Sequence, residues 1–167
     1  MPAFSDTGAS IRFARPDDAA AIHSLIVELA EFEHLTHLLV ATEATLRTAL
    51  ADDRPRVECL VAEHEGKVVA YAMYFHNFSS FLSQRGLYLE DLYVSPAARR
   101  MGIASAMLRK LATIAVERQC ARFEWTVLDW NQTAIDFYEK IGATVMPDWR
   151  VVRMTGEALT KLAGNPG

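Results

Sequence analysis

The hydrophobic pattern of this chain changes its period across one short loop, and that change sets the local architecture. Residues 87 to 94 (LYLEDLYV) form an apolar and aromatic run of the kind that makes a strand. From Gly102 the apolar residues recur at helical spacing as far as Glu117. Pro96 ends the strand, so residues 97 to 102 have to turn directly into the helix. The sequence therefore predicts a strand, a short loop and a helix in direct succession.

The rest of the chain predicts a mixed α/β layout without internal repeats. Further strands are predicted at residues 11 to 14, in a hairpin over 59 to 75, at 122 to 130 and at 149 to 156. Further helices are predicted from Pro16 to about Phe32, from Thr42 to Ala51 with Thr42 as N-cap, and over 131 to 141 with Asn131 as N-cap and Gly142 just beyond the end.

Length and charge limit what the chain can be. Its 167 residues suffice for one domain with a sizeable core. We place that domain at residues 10 to 157, between a flexible N-terminus (1 to 9) and a C-terminal tail (158 to 167).

The formal net charge is −4, from 17 basic and 21 acidic residues, so binding to nucleic acid or to an anionic membrane is not expected. Several acidic residues fall in one early segment: Asp17, Asp18, Glu28, Glu31 and Glu33. This local excess suits a cationic substrate.

The sequence gives no sign of export, membrane insertion or a metal centre. Its start lacks the basic and apolar regions of a signal peptide, and no stretch reaches the roughly 20 apolar residues of a membrane span. A cytoplasmic protein is therefore expected. Cys59 and Cys120 lack the spacing of a disulfide framework or a zinc site. His34 and His37 have no third ligand nearby, so no metal is expected either.

The loop before the helix at Gly102 has the composition of an anion-binding turn. A helix N-terminus exposes unpaired N–H groups and the positive end of the helix dipole, and phosphate is a natural ligand there. Gly102 lets the backbone approach a ligand closely, and Ala104 keeps the first turn small. Arg99 and Arg100 add positive charge. On these residues alone, a plain strand-to-helix connection with solvated arginines explains the pattern equally well. A Walker A loop is excluded, because no Gly-Lys-Ser/Thr follows.

The same loop resembles a known signature. The run Arg99-Arg100-Met101-Gly102-Ile103-Ala104 resembles the Gln/Arg-x-x-Gly-x-Gly/Ala acetyl-CoA motif of the GNAT family of N-acetyltransferases. Further runs are similar to the subgroup typified by spermidine/spermine and thialysine N-acetyltransferases: ELAEFE at 28 to 33, LYLEDLYV at 87 to 94, LDWN at 128 to 131, FYEKIGA at 137 to 143 and DWRVVRM at 148 to 154. Many members have a glycine where this chain has Arg100. The Arg100 side chain either reaches a phosphate of coenzyme A or is solvated.

The resemblance implies a fold and a co-substrate. The fold would be that of the GNAT family, with a mixed, mainly antiparallel sheet and a splayed parallel pair of strands. The co-substrate would be acetyl-CoA, with backbone groups of Leu92 and Val94 free to pair with its pantetheine arm and acetyl oxygen. The implied cofactor-binding residues are Leu92, Tyr93, Val94, Arg99, Arg100, Met101, Gly102, Ile103, Ala104, Ser105 and Asn131. Asn131 is also explained as a helix N-cap, and both roles can coexist.

The resemblance also implies catalytic residues. Tyr138 resembles the general acid of the family, the alternative being a tyrosine that only packs in the core. Glu90 is the implied general base, acting through water, while Asp91 helps to bind the ammonium end or orders the site. Because neighbours in a strand point to opposite faces, Glu90 and Asp91 are not expected to act as a carboxylate pair. For each, an ion pair with arginine or a cap on backbone N–H groups is the structural alternative.

Phe32, Glu33 and Trp149 complete the implied substrate site. Glu33, in the pair Phe32-Glu33, matches a position that faces the amine in the subgroup, whereas a solvated residue near a helix end is the alternative. Trp149 either walls the acceptor channel or is an ordinary core tryptophan.

The leading hypothesis is an acetyl-CoA-dependent N-acetyltransferase that acts on a small primary amine such as a polyamine, a diamine or a thialysine-like amino acid. Transfer is expected to be direct, because neither cysteine has a recognisable nucleophile setting. A protein or peptide N-acetyltransferase and a non-catalytic acyl-CoA sensor are the alternatives. The resemblance to the subgroup also implies a homodimer.

Overall fold

A five-stranded sheet organises the structure. A computed structural model describes residues 8–164 of the chain. In chain order the strands are β1 (Ser10–Phe13), β2 (Glu58–His64), β3 (Lys67–Ser79), β4 (Gln84–Val94) and β5 (Phe123–Glu124). They lie side by side in the same order, and every pair is antiparallel except β4 and β5. The predicted mixed α/β class, with a mainly antiparallel sheet and one parallel pair, is confirmed.

Four of the five helices described within residues 8–164 begin and end close to the predicted residues, whereas α5 was not predicted. They are α1 (Ala19–Phe32), α2 (Glu43–Leu50), α3 (Ile103–Glu117), α4 (Gln132–Lys140) and α5 (Gly156–Leu162). A short 3-10 turn over Pro16–Asp18 leads into α1. At the start of α2 the Thr45 N–H donates to the Thr42 hydroxyl at 3.2 Å, and the Thr42 N–H donates to the Thr45 hydroxyl at 2.9 Å. This reciprocal cap confirms the predicted role of Thr42.

The β2–β3 hairpin turns where the sequence predicted it. The turn consists of Glu65 and Gly66, between the paired residues His64 and Lys67. Both turn residues have positive φ, 50° at Glu65 and 74° at Gly66. Positive φ at both central positions is the geometry that matches the twist of two antiparallel strands, and glycine adopts it without steric cost.

Helices α1 and α2 cover one face of the sheet. Ile22 and Leu25 of α1 are buried with Leu46 of α2 against residues of β2, β3 and β4. The sheet contributes Cys59, Val61, Tyr71 and Tyr93 to this cluster. Burying a large apolar side chain contributes roughly 1.5–3 kcal/mol, so the cluster fixes α1 firmly over β3 and β4.

Helix α3 covers the opposite face. Leu60 alternates along β2 with Cys59 and Val61, so its buried side chain points away from α1. The apolar face of α3 is buried as well, at Ile103, Met107, Leu111 and Ile114. The sheet is thus a middle layer whose β4 runs between the two helical layers and leads directly into α3.

A bulge interrupts the pairing of β3 with β4. Tyr74 is opposite Leu89 and Met73 is opposite Asp91, so Glu90 is an extra residue without a partner on β3. An extra residue shifts the alternation of the strand by one position. From the sequence we expected the side chains of β4 to alternate strictly between the two faces of the sheet. In the structure this alternation holds before and after Glu90 but not across it.

The chain divides into two units, one ending at Thr126 and the other beginning at Val127. The second unit contains α4 and α5, and none of its described residues belongs to a strand. α5 runs across residue 157, where the sequence placed the end of the domain. Residues 1–7 of the expected flexible N-terminus and residues 165–167 of the expected tail lie outside the described residues.

The strand predicted over residues 122 to 130 is much shorter than expected, since only Phe123–Glu124 pairs with β4. The residues after Thr126 turn instead into α4: the Asn131 N–H donates to the Leu128 carbonyl at 2.9 Å. The Asn131 side chain then caps α4, accepting from the Ala134 N–H at 3.3 Å. The turn and the cap use the residues that would have extended the strand.

The last predicted strand, over residues 149 to 156, is wrong. Within residues 8–164 this stretch pairs with no other strand, and Gly156 at its end begins α5. Its β-branched residues favour a strand, but β propensity is realised only where a neighbouring edge supplies hydrogen bonds. In the described part of the chain no helix has the length and apolar character of a membrane span.

Candidate active site

The loop before α3 presents an uncapped helix N-terminus. Gly102 occupies the N-cap position with φ 76°, and within residues 8–164 no side chain caps this helix. By contrast, Thr42 caps α2 and Asn131 caps α4. The first N–H groups of α3, at residues 103–105, therefore point out of the helix without a side-chain acceptor. This geometry fits a phosphate ligand, as the sequence predicted.

Arg100 adopts a backbone conformation that is unusual for its residue type. Its φ is 65°, in the left-handed region that favours glycine. Arg99 before it is extended, with φ −69° and ψ 160°. The loop thus turns sharply at Arg100 and again at Gly102, and glycine would adopt the backbone conformation at position 100 without steric cost.

Beyond Tyr88, no strand within residues 8–164 pairs with the outer edge of β4, which we call the open edge. β5 pairs with β4 only at Leu87 and Tyr88, whereas β4 continues to Val94. On the other edge the Ser95 N–H donates to the Val69 carbonyl of β3 at 2.9 Å. Because the bonds of an antiparallel ladder alternate, the backbone groups of Leu92 and Val94 are turned toward the open edge. An extended ligand arm can pair there as an additional strand would.

The bulge determines where the two neighbouring carboxylates point. Asp91 is opposite Met73 and lies on the α1 face, half-buried, while Glu90 is exposed. Glu90 and Asp91 thus differ in exposure, but they remain close enough for the charge of Glu90 to raise the pKa of Asp91. The bulge in β4, which leaves Glu90 opposite no residue of β3, was not revealed by the sequence.

Asp91 lies in a buried polar contact with Tyr71. The Tyr71 hydroxyl, which belongs to a fully buried side chain, donates to Asp91 Oδ2 at 3.2 Å. Burial and, to a smaller extent, the charge of Glu90 raise the pKa of Asp91 to about 6, although the hydrogen bond from Tyr71 opposes the shift. Burial and the nearby Asp91 also raise the pKa of Tyr71. Asp91 is thus ionised at neutral pH but easily protonated in mild acid.

Glu33 lies close enough to Asp91 for their charges to interact. It is the C-cap residue of α1, and burial raises its pKa. Its charge also raises the pKa of Asp91 and of Tyr71. The structure therefore brings two of the predicted substrate-binding residues together on the α1 face. Tyr71 was missed, because no local signal in the sequence indicates which β3 residue faces Asp91.

Arg99 and Phe32 line a shallow cavity between the end of α1 and the end of β4. The Arg99 guanidinium lies over the rings of Phe32 and Tyr93, 5.7 Å and 5.8 Å from their centroids. Its Nε donates to the Val94 carbonyl at 3.3 Å. The cavity has a volume of about 530 Å³ and is also lined by Glu28 and Glu31.

Tyr93 was predicted to bind the cofactor, and the structure places its side chain on the α1 face. The ring is buried in the core, and the hydroxyl donates to Glu28 Oε2 at 3.2 Å. Its neighbours in the strand, Leu92 and Val94, have the backbone orientation that the prediction requires.

The remaining predicted residues lie in the second unit. Tyr138 is on α4, where its ring lies 5.5 Å from that of Phe137. Asn131 is the N-cap of α4, as predicted. Trp149 lies in the irregular segment between α4 and α5.

Neither cysteine is set up as a nucleophile. Cys59 is buried in the α1-facing core, and burial raises the pKa of its thiol to about 12. Such a thiol stays protonated at neutral pH. Cys120 is only half-buried, and no disulfide joins the two. Among residues 8–164 there is no cluster of three or more His, Cys, Asp or Glu side chains arranged to hold a metal ion.

Comparisons with known proteins agree with this geometry. Residues 13–143 match the Acetyltransferase (GNAT) family. Thialysine N-epsilon-acetyltransferase of Mus musculus is 39% identical over 92% of this chain and 96% of its own length. L-ornithine N5-acetyltransferase of Arabidopsis thaliana is 33% identical over 95% of this chain and 91% of its own length. Among solved structures, an integron cassette protein from the mobile metagenome of V. cholerae is 29% identical with a TM-score of 0.78, covering 93% of this chain and 98% of its own.

Proposed function

The chain belongs to the GNAT family of acetyltransferases, and on that basis we propose that it transfers an acetyl group directly from acetyl-CoA to a primary amine of a small cationic substrate. Polyamines, diamines and thialysine-like amino acids are the acceptor classes. The observation that carries the proposal is the open edge of β4, which leads directly to the uncapped N-terminus of α3.

The residues around this edge fit acetyl-CoA, which supplies the activated acetyl group. The backbone groups of Leu92 and Val94 would hold the pantetheine arm by strand-like pairing. The N–H groups at the start of α3, residues 102–105, would bind the pyrophosphate with Arg100 beside them. Met101 and Ile103 contribute loop backbone, and Asn131 can add a hydrogen bond beyond its capping role.

The acceptor amine is proposed to enter from the α1 face. Asp91 and Glu33 supply negative charge that attracts an ammonium group, with Phe32 beside them. Only the neutral amine can attack, so the ammonium has to lose a proton, and we assign that step to Glu90 through a water molecule. Glu90 is exposed, which suits transfer of the proton to solvent.

Tyr138 is proposed as the general acid that donates a proton to the departing thiolate of coenzyme A. Its hydroxyl is the group that can donate this proton. Trp149 is proposed to wall the acceptor channel. Direct transfer without an acyl-enzyme is supported by the buried, protonated thiol of Cys59.

Release of free coenzyme A tests the proposal. The purified chain is incubated with acetyl-CoA and a panel that includes ornithine, thialysine, putrescine, spermidine and a lysine-containing peptide. We expect thiol release with at least one small amine and a much slower reaction with the peptide. A faster reaction with the peptide would indicate a protein acetyltransferase, and acetyl-CoA binding without any turnover would indicate a sensor.

We also propose that the protein is a homodimer in the cytoplasm that uses no metal and binds no nucleic acid. The dimer rests on the similarity to the spermidine/spermine and thialysine subgroup. Sedimentation equilibrium of the purified protein is expected to give twice the 18.6 kDa chain mass. A single species at the chain mass, unchanged by higher protein concentration, would contradict the dimer.

A further inference from the structure

The buried contact between Tyr71 and Asp91 has a counterpart on the opposite face of the sheet. Tyr71 and Tyr74 both belong to β3, and both are fully buried. The Tyr74 hydroxyl donates to Glu58 Oε1 at 3.2 Å, the same distance that joins the Tyr71 hydroxyl to Asp91 Oδ2. Tyr71 belongs to the α1-facing core, and Tyr74, three residues further along the strand, faces α3. The sheet thus contains a tyrosine–carboxylate pair on each face.

The two carboxylates differ in their positive partners. Arg118, at the end of α3, donates to both carboxylate oxygens of Glu58, and its bond to Oε1 is 2.8 Å long. These hydrogen bonds lower the pKa of Glu58. The ion pairs formed within residues 8–164 do not include Asp91. The charge of Glu58 is therefore balanced inside the fold, whereas no arginine or lysine of the described chain balances that of Asp91.

The groups that face Asp91 are mostly acidic. Burial is the main cause of its raised pKa, and the charges of Glu90 in β4 and of Glu33 at the end of α1 act in the same direction. The Cys59 thiol of β2 stays neutral, because burial raises its pKa to about 12. The Tyr71 hydroxyl acts in the opposite direction, because a hydrogen bond to the ionised carboxylate stabilises its charge.

Tyr71 reaches Asp91 diagonally across the ladder of β3 and β4. The residue directly opposite Tyr71 is Tyr93, while Asp91 is opposite Met73. Diagonal neighbours on one face lie roughly 7–8 Å apart, a distance that an aromatic side chain can span. The Tyr93 hydroxyl donates instead to Glu28 of α1. Because the Tyr71 ring is fully buried in the core, the position of its hydroxyl beside Asp91 is fixed.

We propose that Tyr71 is a positioning residue for acceptor binding, whose buried hydroxyl holds the Asp91 carboxylate in the ionised form that an ammonium group requires. An ammonium group is attracted to the carboxylate and not to the neutral acid. This role rests on the proposed function and adds to it a residue that acts through Asp91 without touching the acceptor.

The pH profile of kcat/KM for the acceptor reports the ionisation of Asp91. It is measured with saturating acetyl-CoA and the small amine that reacts fastest. Because kcat/KM follows the ionisations of the free enzyme, wild type should lose activity below about pH 6. Tyr71→Phe keeps the ring and removes the hydroxyl, so Asp91 takes up a proton more readily. The acid limb of the profile should then move upward by about one pH unit.

The quantity compared is the ratio of kcat/KM for the variant to kcat/KM for wild type at each pH. The ionisation of the amine is common to both proteins, so it cancels in this ratio. For Tyr71→Phe the ratio is expected to be at least about threefold lower at pH 6 than at pH 8.5. A substitution that only loosens the fold lowers activity at both pH values, so the dependence on pH separates the two explanations.

Tyr74→Phe is the matched control. It removes a hydroxyl from the same strand, with the same burial and the same 3.2 Å bond to a carboxylate. Glu58 keeps its bonds to Arg118 in this variant. The ratio for Tyr74→Phe is therefore expected to be equal at pH 6 and pH 8.5.

Replacement of Tyr71 by 3-fluorotyrosine is a second, independent variant. It keeps the ring and the hydroxyl but makes the hydroxyl a stronger hydrogen-bond donor, so the acid limb is expected to move to lower pH. Shifts in opposite directions for phenylalanine and 3-fluorotyrosine require the hydrogen bond itself, because a packing role does not depend on the strength of the donor.

Two results would overturn the role of Tyr71 while leaving the proposed function intact. One is a Tyr71→Phe variant, folded by circular dichroism, whose ratio is the same at pH 6 and pH 8.5. The other is the same pH-dependent loss in Tyr74→Phe. If Tyr71→Phe does not fold, an acid limb that 3-fluorotyrosine leaves unchanged has the same meaning. If no small amine releases coenzyme A at any pH, the proposed function itself fails, and the role of Tyr71 fails with it.

Discussion

At the scale of single residues, the proposed site contains one carboxylate, that of Asp91, which is largely buried. Asp91 lies beneath α1 with the Tyr71 hydroxyl donating to it at 3.2 Å. Burial raises the pKa of Asp91 to about 6, above the usual value of an aspartate. A charge kept in such a place costs stability, and this cost is compatible with the proposed role of Asp91 in binding a cationic acceptor.

Asp91→Asn removes the buried charge, so the variant should be more stable than wild type by an amount that depends on pH. Because the folded pKa lies above the unfolded value, the folded state binds the proton more tightly, and the free energy of unfolding of wild type falls as pH rises from about 4 to about 6. Above pH 6 the full cost is present, so the variant is expected to be about 1–2 kcal/mol more stable than wild type at pH 8. At pH 4 the difference should vanish.

Urea denaturation at the two pH values measures this difference. Asp53→Asn, at an exposed position, is the control and is expected to change stability equally at both. A variant at Asp91 that is less stable than wild type at pH 8 would mean that the ionised carboxylate stabilises the fold.

The second prediction at this scale concerns Tyr138. Tyr138→Phe keeps the ring on α4 but removes the hydroxyl, so kcat should fall at least about tenfold if the hydroxyl is the general acid. Acetyl-CoA binding, measured by calorimetry on the same variant, is expected to stay within about twofold of wild type. Unchanged turnover would remove Tyr138 from the acid role.

At the scale of the elements, the loop into α3 is held by two residues with positive φ. Gly102 adopts this conformation without cost, whereas Arg100, at φ 65°, incurs a penalty of about 1–2 kcal/mol. Arg100→Gly removes the penalty but makes the unfolded chain more flexible. We expect a net stabilisation of about 0.5–1 kcal/mol.

Arg99→Gly is the matched control for this prediction. Arg99 has φ −69°, which any residue adopts, so glycine there should lower stability by at least about 0.5–1 kcal/mol. Loss of the guanidinium contacts with the Val94 carbonyl and the two rings adds to this effect. Thermal unfolding of the two variants beside wild type measures both effects. Equal destabilisation by the two glycines would show that the loop does not hold Arg100 in a left-handed conformation.

The elements that the sequence predicted correctly are those fixed by local chemistry. The Glu65–Gly66 turn, the Thr42 cap of α2 and the helical period from Gly102 to Glu117 each depend on neighbouring residues. The bulge at Glu90 and the short β5 depend on which strand lies alongside, and the sequence does not encode that locally. The strand predicted over residues 149 to 156 failed for the same reason.

The same distinction applies to the site. The direct turn from the loop into α3 was predicted because Pro96 and Gly102 lie close together in sequence, whereas the binding of an anion there remains a proposal. The closeness of Asp91 to Glu33 was only implied by resemblance, and the Tyr71 contact was not predicted, since it requires β3, β4 and α1 to be assembled. The contact of Arg99 with Phe32 and Tyr93 likewise joins two distant segments.

At the scale of the whole molecule, acidic residues lie where the acceptor amine is proposed to bind, and basic residues lie where acetyl-CoA is proposed to bind. The net charge is −4, and the acidic residues near the end of α1 lie on the face where the acceptor is proposed to enter. The anionic co-substrate is assigned to the loop that carries Arg99, Arg100 and the N-terminus of α3. A chain organised in this way should bind an anion at one place and a cation at another.

The proposed function requires the start of α3 to bind the pyrophosphate of coenzyme A. Isothermal titration calorimetry of the full chain with coenzyme A, and separately with pantetheine, which lacks the pyrophosphate, tests it most directly. We expect one coenzyme A to bind per chain and pantetheine to bind at least about hundredfold more weakly. Equal affinities for the two ligands, or no heat of binding with coenzyme A, would contradict it.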